Sequence, residues 1–256
     1  MEAALDFTGK TVLVTGSGRN IGKAIILEFA QRGANVIINS RSNVEEAEGV
    51  AKEAQALGAK TLVVMGEAAS LETVDEMKRR AEETFGRVDI YVSNAARRLS
   101  KTFFETTNED WHAYLNQQLT ASWYLAKAFV PGMKEAGWGR IVHVNGNDGL
   151  HGGWTRIPHS TAKGGLRTLT KSLAGGLSEY GITVNDLYPG FVDTTRDLTT
   201  HPGGREASLA RAMQTPLKRQ STVEELAWGC IFLCLPRSAA ITGSAIYVDG
   251  GASMTG

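Results

Sequence analysis

The chain has 256 residues, of which 42% are hydrophobic and 21% charged, and its 27 basic side chains balance its 27 acidic ones. This is the composition of a globular protein with a sizeable core, and the lack of a basic excess argues against binding nucleic acids or anionic membranes through charge. The N-terminal segment lacks the basic region of a signal peptide, and no apolar run approaches the roughly 20 residues of a transmembrane helix, so we expect a soluble cytoplasmic protein.

Short apolar runs alternate with amphipathic stretches along the chain. The runs are rich in β-branched residues and predict strands, whereas the stretches carry apolar side chains at helical spacing and predict helices. The predicted strands are Thr11–Thr15, Asn35–Asn39, Thr61–Met65, Val88–Ser93, Arg140–Asn145, Thr183–Tyr188 and Ala245–Val248. The predicted helices are Ile21–Gln31, Val44–Leu57, Leu71–Phe85, Glu109–Lys134, Pro158–Tyr180 and Glu224–Leu235. This alternation predicts an α/β fold, a doubly wound parallel sheet with helices on both faces, in a single domain over residues 1–256.

The longest irregular stretch of the sequence runs from Asp193 to Arg219 and contains two prolines and two adjacent glycines. Long loops in compact domains often act as lids. We therefore expect residues 193–219 to cover the substrate.

The cysteines and histidines do not have the spacing of metal ligands. Cys230 and Cys234 lie one helical turn apart in an apolar run and predict buried free thiols. His112 and His143 have no further ligands at useful spacing and predict structural roles. No metal site is expected.

A glycine-rich loop connects the first predicted strand to the first predicted helix. It reads Thr15-Gly16-Ser17-Gly18-Arg19-Asn20-Ile21-Gly22. Glycines at such a turn let the backbone approach a pyrophosphate, and the helix N-terminus adds free N–H groups and a positive dipole end. The order of strand, loop and helix therefore favours a dinucleotide site.

Together with motifs further along, this loop makes the sequence resemble the compact short-chain dehydrogenases/reductases over nearly its whole length. The further motifs are Ser93-Asn94-Ala95-Ala96, Tyr188-Pro189-Gly190-Phe191-Val192-Asp193-Thr194, Thr215–Arg219, Glu224–Ala227, Ile241–Gly243 and Val248–Gly251. The resemblance implies a Rossmann-like sheet of about seven strands, a homotetramer, a small-molecule substrate and bound NAD(H) or NADP(H). The cofactor residues that it implies are Gly16, Ser17, Arg19, Asn20, Ile21, Gly22, Arg41, Glu67, Ala68, Asn94, Ala95, Lys163, Pro189, Gly190, Val192 and Thr194.

The residues after the second predicted strand favour NADP(H) as the cofactor. Ser40 stands where relatives that prefer NAD typically place an aspartate for the ribose hydroxyls, and a carboxylate there would repel a 2′-phosphate. Arg41 and Arg19 put two guanidinium groups where that phosphate would bind. The alternative is that both arginines are merely solvated.

The catalytic pattern of the family is only partly kept. The family uses an Asn, a Ser, a Tyr and a Lys, with the Tyr four residues before the Lys so that both lie on one helical face. Aligning the motifs gives Lys163 for the lysine, but His159 for the tyrosine, Gly146 for the serine and Gln118 for the asparagine. Three departures together indicate a natural divergence in chemistry. The substitutions at Asn20 and Ala96, each at a glycine position of the family, add to that impression.

His159 could donate a proton to a substrate only as imidazolium, because a neutral imidazole is a poor acid. Lys163 opposes that charge from one turn away, whereas Asp148 in the preceding loop would restore it. We hypothesise that Asp148 and His159 form a substitute acid/base set, with His151 as an optional third member and extra room at Gly146. The alternative, held with equal weight, is that His159 only hydrogen-bonds the ribose or a water molecule.

Three functions remain open at this point. The first is an NADP(H)-dependent oxidoreductase acting on a small carbonyl, alcohol or related group. The second is a non-redox dehydratase, isomerase or lyase that uses His159 and Asp148, and the third is a non-catalytic NADP(H)-binding protein. We favour the first, because a protein that stopped transferring hydride would lose the reason to keep Lys163 and Pro189–Thr194.

The substrate side carries a weaker signal. Segments that border the pocket in the family contain Arg97, Arg98, Trp154 and Arg156. These side chains suit an aromatic or anionic substrate. The alternative is that the arginines are solvated.

Overall fold

Seven parallel strands form one sheet at the centre of the fold. The computed structural model describes residues 5–97, 100–195 and 204–254. The strands are β1 (Thr11–Val14), β2 (Asn35–Ser40), β3 (Thr61–Met65), β4 (Ile90–Ser93), β5 (Gly139–Val144), β6 (Ile182–Pro189) and β7 (Ala245–Val248). Their order across the sheet is β3-β2-β1-β4-β5-β6-β7. The chain therefore starts in the middle, winds outward to β3 and returns to continue from β4, which confirms the predicted doubly wound α/β fold.

Helices cover both faces of this sheet. They are α1 (Asn20–Gln31), α2 (Val44–Ala56), α3 (Leu71–Phe85), α4 (Asn108–Leu115), α5 (Ala121–Glu135), α6 (Asp148–His151), α7 (Ile157–Leu177), α8 (Gly204–Ala212) and α9 (Val223–Cys234). One apolar layer lies under α1, α2 and α9. The other lies under α3, α5 and the end of α7. Because most strands are buried on both faces, they read in the sequence as continuous apolar runs.

The two cysteines lie on α9 in the first of these layers. Both Cys230 and Cys234 are buried free thiols, as predicted. Among the residues that the structure describes, no helix is long and apolar enough to cross a membrane.

The predicted long helix from Glu109 to Lys134 exists, but its backbone is irregular near the middle. A turn of π-helix, Asn116–Thr120, joins α4 to α5. Such bulges insert one extra residue per turn and occur frequently at functional sites. This one carries Gln118.

The prediction of an irregular chain from Asp193 to Arg219 is wrong in part. Within it, α8 forms a helix over Gly204–Ala212. Its Glu, Ala, Leu and Arg side chains are good helix formers, and they outweigh the glycines just before them. Residues 196–203 lie outside the described part of the chain.

Candidate active site

A wide cleft of about 840 Å³ opens at the carboxyl ends of the strands. It lies where the strand order reverses between β1 and β4, the place at which doubly wound sheets bind ligands. Its lining includes these predicted cofactor residues: Gly16, Arg19, Asn20, Ile21, Gly22, Arg41, Glu67, Ala68, Asn94, Ala95, Pro189, Gly190, Val192 and Thr194. Predictions made from separated motifs thus converge on one cleft.

Two glycines of the loop after β1 are required by its geometry. Gly16 has a φ of +64°, in the region that favours glycine. A Cβ on Gly22 would collide with the carbonyl oxygen of Gly16. The loop is held to β2 by Asn39, whose carbonyl oxygen accepts a 2.8 Å bond from the Ser17 N–H. Ser17 itself is fully buried behind the loop, so its contribution to a nucleotide site is to shape the backbone.

The N-terminus of α1 offers backbone donors to the cleft. Its N-cap, Arg19, has extended backbone and makes no side-chain capping bond with any described residue. The N-termini of α2, α3, α4 and α9, in contrast, are each capped by an Asn, Ser or Thr side chain. The first turn of α1 also contains no acidic residue. Free N–H groups and the positive end of the helix dipole therefore suit a phosphate group at this end of α1.

The end of β4 is tied to the glycine loop on the other side of the cleft. The side-chain amide of Asn94 donates to the carbonyl oxygens of Thr15 and Gly16 at 2.9 and 3.2 Å. The Thr15 hydroxyl oxygen accepts from the backbone N–H groups of Asn94 and Ala95 at 3.0 and 3.1 Å. These bonds fix the relative position of two strand ends on which a dinucleotide would rest.

Glu67 is surrounded by donors at the β2 and β3 end of the cleft. One of its oxygens lies 3.9 Å from Arg41 Nη1 and 3.6 Å from Arg97 Nη2. The other accepts a 3.3 Å bond from Gln117 Nε2. Two guanidinium groups on one carboxylate leave a net positive charge, and the Arg41 side chain is 55% exposed and can still reach an anion.

Lys163 and His159 project from α7 one turn apart, as their spacing predicts. Lys163 is buried, and its Nζ donates a 2.6 Å bond to the carbonyl oxygen of Val144 at the end of β5. His159 is 2% exposed, and its Nε2 lies 3.7 Å from Asp148 Oδ2. The hypothesised pairing of Asp148 with His159 is thus close enough for an ion pair. The same carboxylate oxygen also accepts a 3.0 Å bond from Arg156 Nη1, so the negative charge is shared.

His151, the optional third member of that set, is not bonded to the pair. It is exposed at the C-terminal end of α6. Within the described part of the chain it makes no hydrogen bond or ion pair with Asp148 or His159.

The two remaining departures from the family pattern differ in their surroundings. A Cβ on Gly146 would meet no heavy atom of the described residues within 4 Å, so the room expected there exists. Gln118 is buried in the π-helical turn, and its Nε2 approaches the Arg97 carbonyl oxygen at 3.5 Å. Its Oε1 has no hydrogen-bond partner among the described residues. A buried acceptor without a partner is costly, which suits a position that meets a ligand or a water molecule.

A tyrosine that the sequence motifs do not indicate lies close to His159. Tyr114 on α4 is buried and lines a small cavity together with His159, Arg156 and Lys101. Burial and the Asp110 carboxylate raise the pKa of this phenol against the opposing effect of nearby arginines. Its hydroxyl therefore stays protonated and can donate a hydrogen bond. The family spacing of a tyrosine four residues before the lysine does not indicate Tyr114, because Tyr114 lies on a different helix from Lys163.

The predicted substrate-side residues are not gathered into one free patch. Arg156 is paired with Asp148 and Arg97 with Glu67. Trp154 is strongly exposed. Arg98 lies outside the described residues.

A buried polar chain lies beneath Lys163. His143 Nδ1 is 2.7 Å from the Thr170 hydroxyl, which donates a 2.8 Å bond to Asp186, and Asp186 also accepts from Arg167 at 2.9 Å. Burial, assisted by the charge of Lys163, lowers the pKa of His143 to about 3, so this imidazole is neutral. Burial raises the pKa of the Asp186 carboxyl against these hydrogen bonds. Among the described residues, no group of three His, Cys, Asp or Glu side chains is placed to hold a metal ion.

Comparison with known proteins adds the family context. The family model described as enoyl-(acyl carrier protein) reductase matches residues 16–253. The 3-oxoacyl-[acyl-carrier-protein] reductase FabG of Pseudomonas aeruginosa is 32% identical over 251 residues, which cover 98% of this chain and 100% of that protein.

Two solved structures have nearly the same fold. L-sorbose reductase from Gluconobacter frateurii, complexed with NADPH and L-sorbose, superposes with a TM-score of 0.90 at 31% identity over 98% of this chain and 99% of that one. A gluconate 5-dehydrogenase from Burkholderia cenocepacia, in complex with NADP and tartrate, gives a TM-score of 0.88 at 29% identity over 99% and 98% of the two chains.

Proposed function

Because this chain belongs to the short-chain dehydrogenase/reductase family, we propose that it is an NADP(H)-dependent oxidoreductase that interconverts a small carbonyl compound and an alcohol. The observation that carries this proposal is the cleft at the reversal of strand order. There the uncapped N-terminus of α1 and the charged side chains of Arg19 and Arg41 lie on the same cleft. The relatives described as reductases and dehydrogenases support the same class of reaction.

The preference for NADP(H) is supported by the charges at the end of β2. Ser40 ends that strand, where a carboxylate would repel a 2′-phosphate. Arg41 follows it directly, and Glu67 is neutralised by two guanidinium groups. A 2′-phosphate would therefore meet hydrogen-bond donors and positive charge. The two solved relatives that hold NADPH and NADP agree with this preference.

The chain must handle a proton as well as hold a nucleotide. The bound nicotinamide supplies or accepts the hydride. We assign the proton to His159, whose Nε2 lies 3.7 Å from Asp148 Oδ2 and which, as imidazolium, can donate to a substrate oxygen. The open space at Gly146 leaves room for part of a substrate. Tyr114, with its neutral hydroxyl, supplies a second hydrogen-bond donor at the same place.

The assignment is tested by following oxidation of NADPH with a ketose, an oxo acid and a 3-oxoacyl thioester as substrates. We expect turnover with at least one of them, and a loss of at least about a hundredfold in kcat for His159→Gln. The matched control is His112→Gln, because His112 is exposed on α4. An undiminished rate in His159→Gln would refute the proton-donor role. Failure to oxidise NADPH with any of these three substrate classes would contradict the carbonyl reductase proposal.

A second candidate function rests on the same contact between Asp148 and His159. A carboxylate beside a buried histidine can abstract and return a proton without any redox change, as a dehydratase, isomerase or lyase requires. Consumption of substrate without a change in the redox state of the nucleotide would select this candidate. Nucleotide binding without any turnover would select the non-catalytic alternative.

Two further expectations, the homotetramer and the covering of the substrate by residues 193–219, stay predictions.

A further inference from the structure

A side chain of the glycine loop is hydrogen-bonded across the nucleotide cleft to the segment that follows β6. The Asn20 carboxamide oxygen accepts a 3.0 Å hydrogen bond from the Thr195 N–H. Its Nδ2 donates a 3.1 Å bond to the Thr195 carbonyl oxygen. One amide thus satisfies both main-chain groups of one residue, in the way that a neighbouring strand would. We name this pair of bonds the Asn20–Thr195 clasp.

The backbone conformation of Asn20 is one that few residues other than glycine adopt. Its φ is +52°, in the left-handed region that glycine adopts freely and other residues adopt at a cost. Asparagine is among the residues that tolerate this conformation best. The position is a glycine in the family pattern, so the side chain is a departure of this sequence. The asparagine side chain at this position makes two hydrogen bonds to Thr195 that glycine could not make.

The segment that Asn20 holds is anchored at its other end. Val192 forms a parallel bridge with Ser221, and the Asp193 N–H donates a 3.0 Å bond to the Ser221 carbonyl oxygen. The segment therefore leaves β6, is fixed beside Ser221, and reaches back to the glycine loop at Thr195. Thr194 and Thr195 both line the nucleotide cleft. The clasp therefore joins two parts of the lining of that cleft.

We propose that Asn20 is a positioning residue that clasps Thr195 across the nucleotide cleft, and that this clasp must open for the nicotinamide cofactor to enter or leave. The proposal rests on the proposed function, since it needs a nucleotide in the cleft. Because both bonds join protein groups only, the clasp slows entry as well as release. It therefore sets the rate of cofactor exchange more than the affinity.

The test is a stopped-flow measurement of NADPH binding and release by the full chain, using the fluorescence of the reduced nicotinamide. Asn20→Gly removes the clasp and suits a φ of +52°, so the variant should fold. We expect both the association and the dissociation rate constants to rise about tenfold, with Kd unchanged, because two exposed hydrogen bonds are lost. Thr195→Ala is the matched control. It keeps the main-chain groups that form the clasp, so its exchange rate constants should change less than those of Asn20→Gly.

A second variant separates the clasp from a general loosening of the glycine loop. Thr195→Pro removes the N–H donor from the other side while leaving the loop intact. If the clasp is the cause, combining it with Asn20→Gly should add little to the effect of Asn20→Gly alone. Exchange at the parent rate in Asn20→Gly, or fully additive effects in the double variant, would overturn the clasp while leaving the proposed function standing. A parent protein that binds no NADPH would overturn both.

Discussion

His143 gives a prediction whose size follows from the structure. Its imidazole is buried beneath Lys163, and its folded-state pKa is about 3, against an ordinary value of 6.5. Below pH 6.5 the His143 imidazole therefore binds a proton in the unfolded chain but not in the folded chain. The stability contributed by the neutral ring is fully present above pH 6.5 and is lost as the pH falls toward 3. From this gap, the free energy of unfolding should drop by about 1 kcal/mol at pH 6 and about 2 kcal/mol at pH 5.

The assay compares the parent protein with His143→Asn in urea unfolding at pH 7.5, 6 and 5. The asparagine amide can hydrogen-bond the Thr170 hydroxyl in place of the ring nitrogen that lies 2.7 Å from it, and the amide does not titrate. The smaller side chain lowers the free energy of unfolding by the same amount at every pH. This loss cancels when the change between two pH values is taken for each protein separately. The parent should lose about 2 kcal/mol more than the variant between pH 7.5 and pH 5. Parallel losses in the two proteins would show that His143 is not held neutral by burial.

Three further variants test the glycines and the acid/base pair. Gly146→Ser should fold with a Tm close to that of the parent, because its Cβ meets open space, and a large fall in Tm would contradict the room inferred there. Gly22→Ala should cost about 2 kcal/mol in urea unfolding, because its Cβ would meet the Gly16 carbonyl oxygen, and an unchanged midpoint would contradict that packing. Asp148→Asn should lower kcat at least about tenfold while leaving the Kd for NADPH unchanged, because it removes the charge 3.7 Å from His159. An equal loss of nucleotide affinity would instead place Asp148 in the cofactor site.

Much of the fold could be predicted because each element carries a local pattern. The strand β2 and the helix α3 were expected within one residue of their observed ends, since alternation and helical spacing are read from neighbouring side chains. The helix α8 is hidden in the sequence because Pro202 and Gly203 precede it and Gly204 begins it, and such residues are typical of an irregular loop. The π-helical turn at Asn116–Thr120 was missed because one extra residue in a turn barely changes an apolar pattern.

The sequence predicts where the candidate site lies, but not which side chains contact one another there. Parallel strands bring their carboxyl ends to one edge, so motifs at those ends had to meet. The clasp between Asn20 and Thr195 joins residues 175 positions apart, and no local pattern reports such a pair. The sharing of Asp148 between His159 and Arg156 likewise depends on side-chain directions that only packing decides. Tyr114 reaches the same region from a different helix.

The central proposal, an NADP(H)-dependent oxidoreductase, is tested most directly by the affinities of the parent protein and Arg41→Ala for NADPH and NADH at fixed ionic strength. We expect the parent to bind NADPH at least about tenfold more tightly than NADH, because in the proposed site a 2′-phosphate would meet Arg41 and Arg19. Arg41→Ala should weaken NADPH binding about tenfold and leave NADH binding unchanged. Equal affinities of the parent for the two nucleotides, or an equal loss for both in the variant, would contradict the proposal.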